Sequence, residues 1–296
     1  MSQPAEPTDW TLGALLEWTA RFLLRKGSES PRLDAEVLLA HAVGCRRIDL
    51  YTRHDERATD ETRQRFRELV RQRAEGCPVA YLVGRKEFYS LEFGVNRSVL
   101  IPRPESEFVV MECLQRAKAL AAPRIVDIGT GSGAIAVTVA KHHPGAQVTA
   151  VDVSADALAV ATQNAARHGV ADRVRFLHGD LFGPVAEEKF DFILSNPPYI
   201  PHEELDRLPV GVRNYEPLVA LDGGPGGYEV FGRLVADAGA HLVPGGWLIV
   251  EIGAPQEGET RRRIEAQADF RLLPTVHDYS GHPRVLCAQW RGASAA

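Results

Sequence analysis

Four short segments between residues 127 and 199 carry residues that do chemistry. The most informative is Ser195-Asn196-Pro197-Pro198-Tyr199. A structural turn has use for Asn-Pro, because Asn initiates turns and Pro fixes them, but it has no use for the tyrosine. A site for a planar –NH2 group has use for all of them. Such a group presents two donors, so two acceptors must face it. The Asn196 side-chain oxygen and the Pro197 carbonyl supply them, and Pro198 holds that carbonyl rigid. Tyr199 adds a flat apolar wall. An amide-like nitrogen is a weak nucleophile because its lone pair is delocalised. Accepting hydrogen bonds from both of its protons pushes density back and aims the lone pair at an electrophile. The gain comes from positioning and fixed dipoles, with no strong base needed before attack.

The second segment is Asp127-Ile-Gly129-Thr130-Gly131-Ser132-Gly133-Ala134. It follows an apolar run and opens a helical pattern. Glycines there allow unusual backbone angles and close approach of a ligand, and a helix start offers free N–H groups. The spacing also fits a dinucleotide fingerprint with Ala134 in the last slot. Asp152 follows nineteen residues after Gly133, at the end of the next apolar run. A carboxylate there accepts from both hydroxyls of a ribose, which fits NAD and S-adenosylmethionine equally. Gly179-Asp180-Leu181-Phe182 comes after a third run. Asp180 is placed to accept from an adenine amino group, with Leu181 and Phe182 as apolar walls; a plain surface turn fits those residues equally.

The elements that position these segments alternate. Apolar runs at 124–128, 148–151, 174–177, 190–195 and 247–252 read as strands. Helical patterns fall between them, to His142, over 155–168, over 228–242 and over 256–268. Runs at 270–276 and 284–290 read as an antiparallel hairpin. Such alternation implies a mostly parallel sheet covered on both faces. The first part of the chain differs. Helices are expected over 10–25, 33–43 and 59–75, then a hairpin within 85–101 and a proline-fixed linker at Ile101-Pro-Arg-Pro-Glu105 that leads into a helix to Ala121. Three parts result: 1–84 as a helical domain, to which the resemblance given below adds substrate recognition, 85–104 as a hairpin linker and 105–296 as the main domain. Arg63, Arg67 and Arg71 share the third helix, as a solvated face or a partner surface.

Taken in order at strand ends, the glycine segment, Asp152, Asp180 and Asn196–Tyr199 resemble class I S-adenosylmethionine-dependent methyltransferases that modify a planar nitrogen. Further segments narrow the resemblance: Ile101-Pro-Arg-Pro-Glu-Ser-Glu107, Tyr215-Glu-Pro-Leu-Val-Ala-Leu221-Asp-Gly-Gly224, Glu251-Ile-Gly253 and Asp278-Tyr-Ser-Gly-His-Pro-Arg284. With them the chain resembles, over nearly its whole length, the HemK/PrmC family of protein-(glutamine-N5) methyltransferases. That resemblance implies a Rossmann-like α/β fold with a seven-stranded, mostly parallel sheet, an antiparallel C-terminal hairpin and a small helical N-terminal domain. It implies S-adenosylmethionine as cofactor, S-adenosylhomocysteine as product, and the glutamine of a Gly-Gly-Gln loop in peptide-chain release factors as target. Gly129, Thr130, Gly131, Ser132 and Gly133 then wrap the methionine end, Asp152 holds the ribose, and Asp180 with Leu181 borders the adenine. Asn196 also borders the cofactor. Asn196, Pro197, Pro198 and Tyr199 receive the glutamine, with Asn196, Pro197 and Tyr199 as the catalytic set. Arg103 and Glu105 wall the cleft. Ser106 stands where the family often has Thr, and Leu181 where it often has an aromatic residue.

Composition sets the outer bounds. The chain has 296 residues, with 45% hydrophobic and 25% charged, as in a globular protein. Its net charge of −5 is uneven: residues 1–120 carry 19 basic and 18 acidic side chains, and the acidic excess lies beyond them. An acidic main domain argues against gripping nucleic acid through phosphates. The nearest rival, a DNA or RNA adenine-N6 methyltransferase, uses the same Asn-Pro-Pro-Tyr segment but must also flip a base, which needs basic contacts. A dinucleotide-dependent oxidoreductase rests on the glycine segment alone, and a non-catalytic module would leave the segments idle. Cys45, Cys77, Cys113 and Cys287 form no C-x-x-C pair and read as reduced thiols. No signal peptide, membrane helix or metal site is expected, which points to a cytoplasmic monomer whose partner is a protein.

Overall fold

The computed structural model describes residues 10–292. They form two compact units. One holds the residues up to Gly84 together with Pro209–Tyr215; the other holds Arg85–Leu208 and the residues from Glu216 onward.

The smaller unit is helical, with helices Leu12–Arg25, Pro31–Val43, Asp49–Thr52, Asp60–Ala74 and Val79–Val83. Local chemistry sets their ends. Thr11 Oγ1 accepts from Ala14 N and Thr59 Oγ1 from Thr62 N, so two helices start on a side-chain cap. The second helix begins at Pro31, earlier than the apolar spacing from Leu33 suggests, because proline suits the first helical position. Leu12, Leu16, Leu38, Leu39, Leu50 and Phe66 form the core. Asp34 is buried and tied to Arg73 at 2.7 Å. A cavity of about 370 Å³ opens between the first and fourth helices, lined by Trp10, Trp18, Phe22 and Phe66. On the same arginine-rich helix, Arg63 pairs with Asp60, and Arg71 with Glu68 and Glu75. Residues 209–215 join this unit rather than the main one. Tyr215 Oη donates to Glu75 O, and a Cβ on Gly76 would lie 2.8 Å from Val210 Cγ1.

The larger unit opens with an antiparallel hairpin, β1 (Arg85–Phe88) and β2 (Leu91–Gly94). Its sheet contains β3 (Arg124–Ile128), β4 (Gln147–Asp152), β5 (Val174–His178), β6 (Phe190–Ser195), β7 (Leu242–Glu251), β8 (Phe270–Leu272), β9 (Val276–His277) and β10 (Pro283–Trp290). The order β5-β4-β3-β6-β7-β10-β8 runs edge to edge, and the two-residue β9 also pairs with β10. β3 to β7 are parallel, whereas β10 runs antiparallel to β7, β8 and β9. This is the Rossmann-like, mostly parallel sheet with an antiparallel C-terminal end that the resemblance implies, but with eight strands rather than seven, because the run expected over 270–276 is split into β8 and β9. Among the described residues no helix is long and apolar enough to cross a membrane.

The register brings the chemistry together. Ile128 lies beside Val151 and Ser195, Asp152 beside His178, and Ser195 beside Val250. The carboxyl ends of β3, β4, β5, β6 and β7 therefore finish level. β3 is central, with β4 on one side and β6 on the other, which makes the crevice beyond β3 the switch point where such sheets bind ligands. Three elements depart from the expected spans. The helix expected over 228–242 is α-helical over Glu229–Ala238 and finishes as a 3-10 turn over Gly239–His241. β7 then starts at Leu242, five residues before the apolar run, and carries a left-handed Gly245 and a register shift against β6. The helix expected from Glu105 starts at Glu107, after a short turn over Pro104–Ser106.

Candidate active site

The turn after β3 is shaped by its glycines. Gly129, Gly131 and Gly133 have φ of 75°, 55° and 79°, the left-handed region that other residues rarely adopt. Gly129 N and Thr130 N both donate to Val151 O, which ties the turn to β4. A Cβ on Gly133 would press on Ala161 at 3.0 Å, so this glycine serves close packing. A Cβ on Gly129 or Gly131 would meet nothing within 4 Å. The main chain at those two positions therefore borders open space, as a cradle for a ligand must. Thr130 Oγ1 donates to the fully buried Asp127. Burial pushes that carboxyl up to about 7, and its Oδ1 has no partner among the described residues. Ser132 O accepts from Asn164 Nδ2, which anchors the turn to the helix after β4.

Asp152 closes the cradle. Its Oδ2 accepts from Gly131 N at 2.8 Å and its Oδ1 from Ser154 N at 2.9 Å. Each oxygen keeps a second lone pair, enough for a pair of vicinal hydroxyls. Burial raises this carboxyl above its ordinary range, against the pull of the Ser154 and Gly131 N–H groups. The open space along Gly129–Gly131 and the acceptor pair on Asp152 fit a nucleoside cofactor.

The segment after β5 is arranged differently from a simple adenine wall. Asp180 is exposed, and its Oδ2 accepts from Arg233 Nη2. Phe182 is buried and stacks on His241 at 4.3 Å, so its ring faces the core. Leu181 is the residue held in an unusual state, at φ 45° with its side chain buried beside Val151 and Ile128. A branched side chain in that region is strained, and such strain clusters at ligand sites.

The Asn-Pro-Pro-Tyr segment leaves the end of β6 under tight restraint. Ser195 Oγ donates to Ile128 O across the sheet. Gln256 Nε2 donates to Tyr199 O at 2.9 Å, and Ile200 N donates to Leu221 O. Asn196 Nδ2 donates to Ser106 Oγ at 3.0 Å, and Ser106 Oγ donates to Glu251 Oε2 at 2.6 Å. Among the described residues no donor pairs with Asn196 Oδ1 or Pro197 O. Two carbonyl oxygens from adjacent residues are thus left as acceptors. Burial, then the Glu251 charge, raises the Tyr199 phenol above its ordinary value.

The linker residues form a charged rim. Arg103 Nη2 pairs at 2.5 Å with Glu216, whose buried carboxylate also takes Ile101 N. Glu105 lies 3.7 Å from Arg284, which Asp278 holds at 2.8 Å. The structure therefore brings Arg103 and Glu105 to the Tyr199 side of β6, where both act on its phenol. It also adds Ser106, Glu216 and Glu251, for which sequence reasoning gave no chemical role.

Glu251 is fully buried, and burial pushes it up to about 7 despite the Ser106 hydroxyl. An acid whose pKa rises on folding binds its proton more tightly in the native state. Its contribution to stability falls as pH climbs from the ordinary value of 4.5 towards about 7. Replacing Glu251 with Gln removes this titration. Between about pH 5 and about pH 8 the wild type should lose about 2 kcal/mol relative to Glu251→Gln in urea unfolding. A stability gap independent of pH contradicts the burial argument.

Two family models match the chain. One, described as the PrmC N-terminal domain, matches residues 14–84. The other, described as a methyltransferase small domain, matches residues 106–209. Curated relatives match over nearly the full length. A release factor glutamine methyltransferase of Rhodopirellula baltica is 48% identical over 98% of this chain and 99% of its own. Its namesake in Geobacter sulfurreducens is 44% identical over 95% and 97%. That of Chlorobaculum tepidum is 41% identical over 94% and 96%.

Proposed function

This chain belongs to the family of release factor glutamine methyltransferases, and from that membership we propose how its site performs the reaction. The enzyme transfers a methyl group from S-adenosylmethionine to the side-chain amide nitrogen of a glutamine in a peptide-chain release factor. The target is the glutamine of a Gly-Gly-Gln loop. One observation carries the reading: Asn196 Oδ1 and Pro197 O are adjacent acceptors without a donor among the described residues, at the end of the strand next to the glycine cradle.

Bound S-adenosylmethionine supplies an electrophilic methyl group on a sulfonium centre. Everything else is the work of the chain. Gly129 to Gly133 hold the methionine end in the cradle, Asp152 accepts from the ribose hydroxyls, and Asp180 with Leu181 borders the base. Asn196 Oδ1 and Pro197 O each accept one proton of the glutamine –NH2 group. Those two bonds fix the plane of the amide and draw its lone pair out of conjugation, towards the methyl group. Tyr199 supplies the flat wall against that plane, and Pro198 keeps the Pro197 carbonyl from turning. Electrostatic preorganisation therefore replaces a general base. The nitrogen–carbon bond forms as the methyl–sulfur bond breaks and its electron pair neutralises the sulfonium, and the extra proton then leaves to solvent. Arg103 and Glu105 wall the entrance for the substrate loop.

The competing acceptor is an adenine amino group, which has the same planar –NH2. Incubation with methyl-labelled S-adenosylmethionine, a purified bacterial release factor and an adenine-containing duplex in one tube separates the two. Label is expected in the protein; label in the duplex with none in the protein overturns the reading.

A further inference from the structure

An asparagine amide is nearly symmetric in shape but opposite in chemistry at its two ends. If the Asn196 amide turned over, its –NH2 would face the donors of the substrate amide, and two donors would oppose each other. Something must therefore fix which end faces the cleft. We infer that Glu251 and Ser106 are positioning residues, a relay of hydrogen-bond polarity that holds Asn196 with its oxygen towards the substrate nitrogen. The inference rests on the reading that Asn196 Oδ1 accepts from the substrate.

The polarity follows from donor and acceptor counts. Above about pH 7, where Glu251 is ionised, its carboxylate only accepts. Glu251 is 1% exposed and its Oε2 takes the hydroxyl proton of Ser106 at 2.6 Å. A serine hydroxyl has one proton, so Ser106 Oγ then faces Asn196 with lone pairs alone. Only the Nδ2 end of Asn196 can answer, and it does so at 3.0 Å. The unpaired end of the amide is Oδ1. Ser106 is 5% exposed, which leaves water little chance to offer its hydroxyl another partner. The same carboxyl stands against the Tyr199 phenol, so one group underlies both Asn196 and Tyr199. Ser106 and Glu251 lie 145 residues apart and reach one another only because the proline-fixed linker ends beside the tip of β7.

The test compares kcat, KM for the release factor and the dissociation constant for S-adenosylmethionine in five variants. Ser106→Ala should lower kcat about 10- to 100-fold, the scale set by misplacing a catalytic dipole, with cofactor affinity within about twofold. Ser106→Thr, which keeps the hydroxyl, should recover most of that loss. Glu251→Gln offers both an acceptor and a donor to Ser106, so polarity is no longer imposed, and kcat should fall by about fivefold or more. In an Asn196→Ala background, removing the Ser106 hydroxyl should cost nothing further, because nothing remains to orient. The inference is overturned if Ser106→Ala keeps kcat while Asn196→Ala loses it. It is also overturned if Ser106→Ala loses cofactor binding in step with kcat and Thr rescues neither. Full activity in Asn196→Ala would instead sink the underlying reading of the acceptor pair.

Discussion

Replacing Asn196 with alanine should lower kcat by about a thousandfold or more while changing the dissociation constant for S-adenosylmethionine only a few-fold. The magnitude comes from the chemistry of the acceptor. Removing one preorganised dipole aimed at developing charge costs about a hundred- to a thousandfold in rate. Here the loss is compounded, because the same side chain also sets the plane of the attacking amide. With Asn196 gone, Pro197 O alone holds the –NH2 group, and the amide rotates about that single bond. The neighbourhood should survive the change. Asn196 donates only to Ser106, an interaction confined to the site. The strand that presents it is anchored by Ser195 and by β3 and β7 on its two sides. Stopped single-turnover transfer and calorimetric titration of the cofactor, on the same preparation, separate the two effects. Retention of more than about a tenth of wild-type kcat excludes the acceptor-pair mechanism.

Asp152→Ala is expected to act on the opposite parameter. Hydrogen bonds to a charged group contribute about 1.5–3 kcal/mol each, so losing the ribose acceptors should weaken S-adenosylmethionine binding by about a hundredfold. There is a second route to the same loss. Asp152 Oδ2 also accepts from Gly131 N, in the middle of a turn built from left-handed glycines. Without the carboxylate that N–H loses its partner and the cradle loses its shape. Once the cofactor is saturating, kcat should stay within about fivefold of the wild type, because Asp152 is remote from the attacking nitrogen. Calorimetry at several cofactor concentrations measures the first quantity, and saturating kinetics the second. Unchanged affinity contradicts the ribose assignment.

These two residues were legible in the sequence for a common reason. Each ends a short apolar run that reads as a buried strand, and strands of a parallel sheet end on one side. The glycine turn, Asp152 and Asn196 therefore fall along one crevice on the sequence pattern alone. The glycines were legible because three of them between a strand and a helix have few other uses. The rest needed three dimensions. Glu251 ends a strand too, but a glutamate there says nothing of Ser106, which sits 145 residues earlier. The Arg103–Glu216 pair spans 113 residues in the same way. The return of 209–215 to the helical unit is invisible in a stretch that reads as a polar loop. Periodicity also failed at Gly245, whose left-handed backbone lets β7 continue through a register shift. Asp180 shows the limit of reading a role from position. Its place at the strand end was clear, but its engagement by Arg233 comes from a helix fifty residues downstream.

The central claim is that the attacking atom is the side-chain nitrogen of a release-factor glutamine. The most direct measurement is to react the enzyme with labelled S-adenosylmethionine and a purified bacterial release factor, digest the product and map the label by fragmentation mass spectrometry. One methyl group is expected, on the side-chain amide of the glutamine in Gly-Gly-Gln, and none on a release factor whose glutamine is replaced by glutamate. A methyl group on a backbone, lysine or carboxylate position, or equal labelling of the glutamate form, would contradict it.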